Sequence, residues 1–169
     1  MLEFSKLWSD FPEKSVIKAK CQNQQASSSR PFGNYCAILL SEALIRSGLS
    51  TNNIPGNKCW SHDGMEHVLL AEDLAQWLSK ASIKGLGQKE QIDPATFQDD
   101  LEGRTGIVFF KDYWQRGNET DVNRSGDHID LWNNNEITSS SMLYRSFAEF
   151  FGMVSDLNNS KKIWFWEVK

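Results

Sequence analysis

The chain has 169 residues, a formal net charge of −4, three cysteines and three histidines. That length suits a single domain spanning residues 1–169 with a real core, and the acidic balance without a basic run argues against a nucleic-acid partner. No apolar stretch approaches the roughly 20 residues that a membrane span needs, which argues against membrane insertion.

The opening Met1-Leu2-Glu3-Phe4-Ser5-Lys6 lacks the charged-then-apolar pattern of a secretory leader, so export, if it occurs, is expected to use another route. Phe4, Leu7, Trp8 and Phe11 recur at helical spacing before Pro12 and predict a short first helix. Residues 18–34 are polar and turn-rich and read as a loop. The segment Gly33 to Gly48 reads as a loop that breaks into a helix. Asn34 is the expected N-cap, with Cys36 near the second helical position. Gly48 is the expected stop, because glycine enters the left-handed region at little cost. Cys36, Leu40, Ala43 and Leu44 fall on one face.

Residues 50–64 form a second loop, and His62 and His67 read as surface or loop histidines. Residues 66–81 read as an amphipathic helix with Leu70, Leu74, Trp77, Leu78 and Ala81 as its stripe. After Gly85-Leu86-Gly87, Asp93-Pro94 predicts a helix start, and a short helix runs through Leu101 to Gly103. Gly106 to Phe110 predicts a buried strand, and Asp112 to Gly126 an exposed connection. Asp127 to Trp132 alternates as a strand, with His128 and Asp130 on one face. Asn133-Asn134-Asn135 is a turn signal, and Glu136-Ile137-Thr138 returns as a hairpin. Leu143, Phe147, Phe150 and Phe151 predict a helix over 142–153, and 161–168 closes the chain as an aromatic strand. Helices followed by strands imply an α+β fold, N-terminal helices packed on a mostly antiparallel sheet.

A thiol in the first turn of a helix meets unpaired N–H groups and the positive end of the dipole, and both favour the thiolate. The competing reading is that Cys36 is a small buried hydrophobe. A histidine on a strand brought to that thiol would take its proton and later return one to a leaving amine. The competing reading of His128 is a histidine hydrogen-bonded at a sheet edge. The backbone N–H of Cys36 is a candidate oxyanion donor. Cys21 and Cys59, both in polar loop-like surroundings, are the expected disulfide pair in an oxidising compartment; in a reducing one all three thiols stay free. No CxxC pair and no Cys/His cluster with zinc spacing appears, so neither a metal nor any other cofactor is expected.

The segment Asn34-Tyr35-Cys36-Ala37-Ile38-Leu39-Leu40-Ser41-Glu42-Ala43-Leu44, followed by Ser47-Gly48, resembles the nucleophile helix of the Tae4 family. These are type VI secretion amidase effectors, cysteine peptidases of the papain-like NlpC/P60 type. Gly126-Asp127-His128-Ile129-Asp130-Leu131-Trp132-Asn133 is similar to that family's histidine strand. Two positions depart from its pattern: Leu39 stands where an arginine is frequent, and Asp127 intervenes before the histidine.

The resemblance implies a single-domain peptidoglycan amidase that cleaves stem peptides, typically at the γ-D-glutamyl–meso-diaminopimelate bond. Cys36 would be the nucleophile and His128 the general base and acid. Asn34, Tyr35 and Trp132 would be binding residues. It implies delivery by a type VI secretion component into the periplasm of a neighbouring bacterium, and a cognate immunity protein in the producer. The family carries a third, orienting carboxylate about eleven residues after its histidine, where this chain has Thr138-Ser139-Ser140 and no acid. Asp130 is the first choice because it shares the face of His128; Glu136, Asp156, a serine or a backbone carbonyl stay open. The alternatives to an amidase are another cysteine acyl-transfer enzyme, deamidase or transglutaminase-like, and a non-catalytic binding module.

Overall fold

The first half of the chain makes short helices because its apolar residues recur at three and four, not at two. In the computed structural model these are α1 (Phe4–Ser9), α2 (Lys14–Lys20), α3 (Cys36–Arg46) and α4 (Ala71–Leu78). Residues 1–23, 31–64, 66–138, 140–141 and 156–169 are described here; the helix expected over 142–153 lies outside them. Inter-residue contacts divide the chain into two compact units, Met1–Ile83 and Lys84–Lys169. Among the described residues no helix is long and apolar enough to cross a membrane.

In the first unit α3 is the central helix, and Ala37, Ile38, Leu40, Ala43 and Leu44 are all buried. It ends where Gly48 turns to a φ of +87°, a conformation glycine adopts without steric cost. One core cluster gathers Ile17, Cys21, Tyr35, Ile38 and Cys59 around the start of this helix. Helix α2 falls partly inside the stretch expected to be loop; Ile17 alone is buried on it, too few apolar residues for a periodic signal. The helix expected from residue 66 begins only at Ala71. Residues ahead of it are extended instead: Lys58 bridges Val68, Cys59 N–H donates to the His67 carbonyl, and Leu69 N–H donates to the Asn57 carbonyl. These pairings satisfy backbone groups that a helical turn would otherwise have to satisfy.

The second unit is one antiparallel sheet. Its strands are β1 (Leu86–Ile92), β2 (Thr105–Trp114), β3 (Gly126–Asn133), β4 (Glu136–Ile137), β5 (Ser140–Ser141) and β6 (Lys162–Val168). Their order across the sheet is β1-β6-β2-β3-β4-β5. The aromatic C-terminal strand therefore sits inside the sheet, between β1 and β2, which explains why Phe165, Trp166 and Val168 are fully buried. Strand β1 escapes the sequence pattern because it is an edge, with Gln88, Lys89 and Gln91 exposed. Helix α5 (Phe97–Asp100) precedes β2. Val108, Phe110, Trp132 and Phe165 share one face of the sheet and pack with Phe97 and Leu101. The expected hairpin is present, with Asn134 at φ +61° in its turn. The result is an α+β chain with a helical first unit and an antiparallel second one.

Candidate active site

Cys36 is the first residue of α3, one position earlier than the spacing suggests. Tyr35 occupies the boundary position, yet Asn34 still performs the capping: its Oδ1 accepts the Cys36 N–H at 3.0 Å. The thiol is free and half-buried, so solvent reaches it. The same hydrogen bond modifies the expected oxyanion site, because the Cys36 N–H already has the Asn34 oxygen as its acceptor.

Tyr35 is 1% exposed. Its hydroxyl donates to the Cys21 carbonyl at 2.8 Å and accepts the Phe32 N–H at 3.1 Å. Tyr35 thus ties the loop before Cys36 to the end of α2, and its ring is not offered to a ligand. Leu39, at the position where an arginine is frequent, packs half-buried against the same cluster. Cys21 and Cys59 are joined by a disulfide with a Cα–Cα separation of 6.2 Å.

In the second unit, His128 and Asp130 come together across the i, i+2 spacing of β3. His128 Nε2 lies 3.1 Å from Asp130 Oδ2, with side-chain exposures of 18% and 4%. The other carboxylate oxygen, Oδ1, accepts the Leu131 N–H at 2.8 Å and the Thr138 hydroxyl at 2.5 Å. A buried carboxylate needs such donors in place of the water it has lost. The imidazole stacks on Phe110, its cross-strand partner, and meets Tyr113 edge-on, at centroid distances of 6.3 and 6.2 Å. Thr138 is the residue that a search for acids passes over: it stands where the returning strand has no carboxylate, and it braces Asp130 instead.

The other acids weighed for orientation have different engagements. Glu136 Oε1 accepts from the Asn133 amide at 3.5 Å. Asp156 Oδ1 accepts the Asn158 N–H at 2.8 Å and so caps a 3₁₀ turn at Leu157–Asn159. Trp132 is fully buried, and its Nε1–H donates to the Leu101 carbonyl at 2.8 Å, a packing role rather than an exposed binding surface.

The departure at Asp127 has a local cause. Strand β2 loses register with β3 between Phe110 and Trp114, and Asp112 there adopts a φ of +52°. Asp127 Oδ1 accepts the Asp112 N–H at 2.8 Å, giving the bulged backbone a partner. Gly126 beside it admits no side chain: a Cβ there would lie 2.4 Å from the Trp114 ring. Past the bulge, Tyr113, Trp114, Gln115, Asp121, Arg124, Asp156 and Asn159 line a polar cleft of about 340 Å³. Arg124, in its lining, donates from Nε to the Asp112 carbonyl and from Nη1 to the Asp121 carbonyl.

His67 is fully buried, against the expectation of a surface histidine. Its Nε2 lies 2.7 Å from Glu42 Oε2. Burial pushes the His67 pKa down further than the Glu42 contact raises it, so the ring is neutral at neutral pH. Burial pushes Glu42 up, but hydrogen bonds from His67 and Arg46 and the charge of Lys20 outweigh it and hold its carboxyl below the ordinary value. No Cys/His group with zinc spacing stands in the sequence, but one forms in space. Ligand atoms of Cys21, Cys59, His62 and His67 all lie within 4.8 Å of one another. Cys21 stands 38 residues from Cys59, so a search for short ligand spacings cannot detect the group.

Several solved structures resemble this chain. A Tae4/Tai4 effector–immunity system from Salmonella typhimurium superposes with a TM-score of 0.64 at 16% identity, covering 100% of this chain and 99% of that one. A Tae4–Tai4 effector–immunity complex from Enterobacter cloacae gives 0.60 at 18% identity, covering 100% and 99%. The type VI effector Tae4 from Enterobacter cloacae gives 0.64 at 17% identity, covering 100% and 98%. At such identities the likeness speaks for the fold. Among curated proteins, none matches the chain. The family model for the type VI secretion system amidase effector protein 4 matches residues 32–166, which takes in both Cys36 and His128. On that match the chain belongs to the Tae4 family of type VI secretion amidase effectors.

Proposed function

We propose that this amidase is a cysteine enzyme of the papain-like NlpC/P60 type. Its substrate is the peptidoglycan stem peptide, cut at the γ-D-glutamyl–meso-diaminopimelate bond, and residues 1–169 work as one catalytic domain. The observation that carries the reading is the His128–Asp130 pair, an imidazole whose Nε2 is held at 3.1 Å by a buried, Thr138-braced carboxylate. A carboxylate only accepts, so it keeps the ring proton on Nε2 and leaves Nδ1 as the basic nitrogen.

In this mechanism Nδ1 takes the proton of Cys36 and the thiolate attacks the amide carbonyl. The tetrahedral intermediate collapses as the imidazolium gives its proton to the leaving amine, and a thioester remains. Water, deprotonated by the same imidazole, hydrolyses the thioester. The developing oxyanion competes with Asn34 Oδ1 for the Cys36 N–H, and the Asn34 side-chain amide supplies a second donor when it rotates. The polar cleft lined by Tyr113, the ring that His128 meets edge-on, suits a charged, amide-rich stem peptide better than an apolar ligand.

Two of the solved structures that this chain resembles hold a Tae4 effector in complex with its Tai4 immunity protein. By analogy we assign this chain a cognate immunity protein in the producer, delivery by a type VI component, and action in the periplasm of the target cell. The test is cleavage of purified muropeptides followed by intact-mass analysis. Wild-type protein is expected to release the diaminopimelate-side fragment, and Cys36→Ala and His128→Ala to release none while keeping a native circular dichroism spectrum. Full turnover by Cys36→Ala overturns the reading. Deamidation of protein glutamines with muropeptides left intact would assign a different acyl-transfer reaction.

A further inference from the structure

The cluster under the N-terminus of α3 has a geometry that the amidase chemistry does not use. His62 Nδ1 lies 3.0 Å from the Asp63 carbonyl, which only accepts, so Nδ1 carries the proton and Nε2 holds the lone pair. His67 Nε2 faces the Glu42 carboxylate at 2.7 Å, so that nitrogen carries the proton and Nδ1 holds the lone pair. The two lone-pair nitrogens, His62 Nε2 and His67 Nδ1, then face each other at 3.2 Å. Two acceptors aimed at one point call for a positive occupant. The sulfurs of Cys21 and Cys59 complete the group, every ligand atom within 4.8 Å of the others.

We propose that the reduced protein binds one zinc ion through Cys21 Sγ, Cys59 Sγ, His62 Nε2 and His67 Nδ1, and that formation of the Cys21–Cys59 disulfide expels it. Zinc–nitrogen bonds of about 2.0–2.1 Å in a tetrahedron put the two nitrogens about 3.3 Å apart, which is the separation already present. Zinc–sulfur bonds of about 2.3 Å require the sulfurs about 3.8 Å apart, so the ion and the covalent bond exclude each other. Each imidazole already has the outer-shell acceptor that zinc-binding histidines use, a carbonyl for His62 and a carboxylate for His67. Cys21, Cys59 and His67 are buried and His62 is partly exposed, which encloses the ion and leaves an entry side.

The exchange balances with a disulfide as the oxidant, either a small molecule or a protein. One zinc-bound thiolate attacks the donor disulfide, forming a mixed disulfide and releasing one donor thiolate. The other cysteine attacks that mixed disulfide, closing Cys21–Cys59 and releasing the second donor thiolate. Two electrons pass to the donor sulfurs, and the zinc ion leaves to water. Because Cys21 ends α2 and its carbonyl receives the Tyr35 hydroxyl, either cross-link fixes the loop ahead of Cys36. The fold is thereby fastened in a reducing compartment by zinc and in an oxidising one by sulfur.

The experiment titrates cobalt(II), then zinc(II), into the full chain reduced under anaerobic conditions. One equivalent of cobalt is expected to give the intense d–d bands of a tetrahedral site and a thiolate charge-transfer band, and zinc to displace it. Cys36→Ala should behave identically, and His62→Ala should bind cobalt at least about tenfold more weakly with its circular dichroism unchanged. Treating the zinc-loaded protein with oxidised glutathione should release one equivalent of zinc to a chelating dye. The proposal is overturned by the absence of a charge-transfer band in the reduced wild type, by its loss in Cys36→Ala, by unchanged affinity in His62→Ala, or by zinc retained after oxidation. None of these readouts depends on amidase activity.

Discussion

Replacing Asp130 with asparagine tests the whole arrangement around His128. Two donors, the Leu131 N–H at 2.8 Å and the Thr138 hydroxyl at 2.5 Å, point at Oδ1, so the asparagine oxygen stays there. Its amide N–H group then faces His128 Nε2, and that nitrogen must accept instead of donate. The ring proton moves to Nδ1, the atom proposed above as the general base. An imidazole in the wrong tautomer loses general-base catalysis, worth about 10²–10⁴ in rate or about 3–5 kcal/mol of barrier. The fold should suffer less, because Leu131 and Thr138 keep their acceptor; the weakened bond to His128 costs about 1–3 kcal/mol. The assay pairs kcat on a defined muropeptide with a urea denaturation curve. If Asp130→Asn turned over within about threefold of wild type while His128→Ala did not turn over, Asp130 would be a structural carboxylate and no orienter.

Thr138→Val removes the brace without removing the acid, so it should lower kcat less than Asp130→Asn while costing stability by about 1–2 kcal/mol, read by urea denaturation. Gly126→Ala drives a Cβ to 2.4 Å from the Trp114 ring; overpacking of this kind costs about 1–3 kcal/mol, and both the melting temperature and the tryptophan emission should shift. Asn34→Ala strips the acceptor from the Cys36 N–H and should cost about 0.5–2 kcal/mol of stability while changing the rate of Cys36 alkylation. Glu119 accepts from the Arg116 N–H and from the Ser125 N–H and hydroxyl; these bonds, the Ser125 hydroxyl first, hold its carboxyl below the ordinary 4.5. A pKa lower in the folded state means the loop's stabilisation is complete above 4.5 and lost as pH falls through the folded value, so the Arg116 and Ser125 amide resonances should move together in acid.

The parts of this molecule legible in the sequence are those whose signal is local. Helix α3 announces itself through its apolar face and Gly48, and β3 through the alternation of His128, Ile129, Asp130 and Leu131; both motifs lie within a few residues. What the sequence conceals is set by pairing at a distance. Strand β1 is exposed and charged, and only the C-terminal strand beside it makes it a strand. Residues 66–69 look helical because they lead without a break into the stripe that starts at Leu70, yet backbone bonds to residues 57–59 hold them extended. His67 looks like a loop histidine because its partner, Glu42, is 25 residues away on a helix.

Asp127 shows how such a concealed pairing bears on the site. From the sequence it interrupts the glycine–histidine pattern and threatens the geometry of His128. In the structure it is the acceptor for Asp112, the left-handed residue of the β2 bulge, and Gly126 makes room for the Trp114 ring beside that bulge. The insertion and the bulge therefore compensate each other: the extra side chain is absorbed by the neighbouring strand, and register resumes at Phe110 opposite His128. Asp127 supplies the acceptor for the bulged Asp112 N–H, so Asp127→Gly should loosen β2 rather than restore a better site. The measurable consequence is a loss of stability with no gain in kcat, and a gain in kcat would mean that the bulge, not the dyad, limits the enzyme.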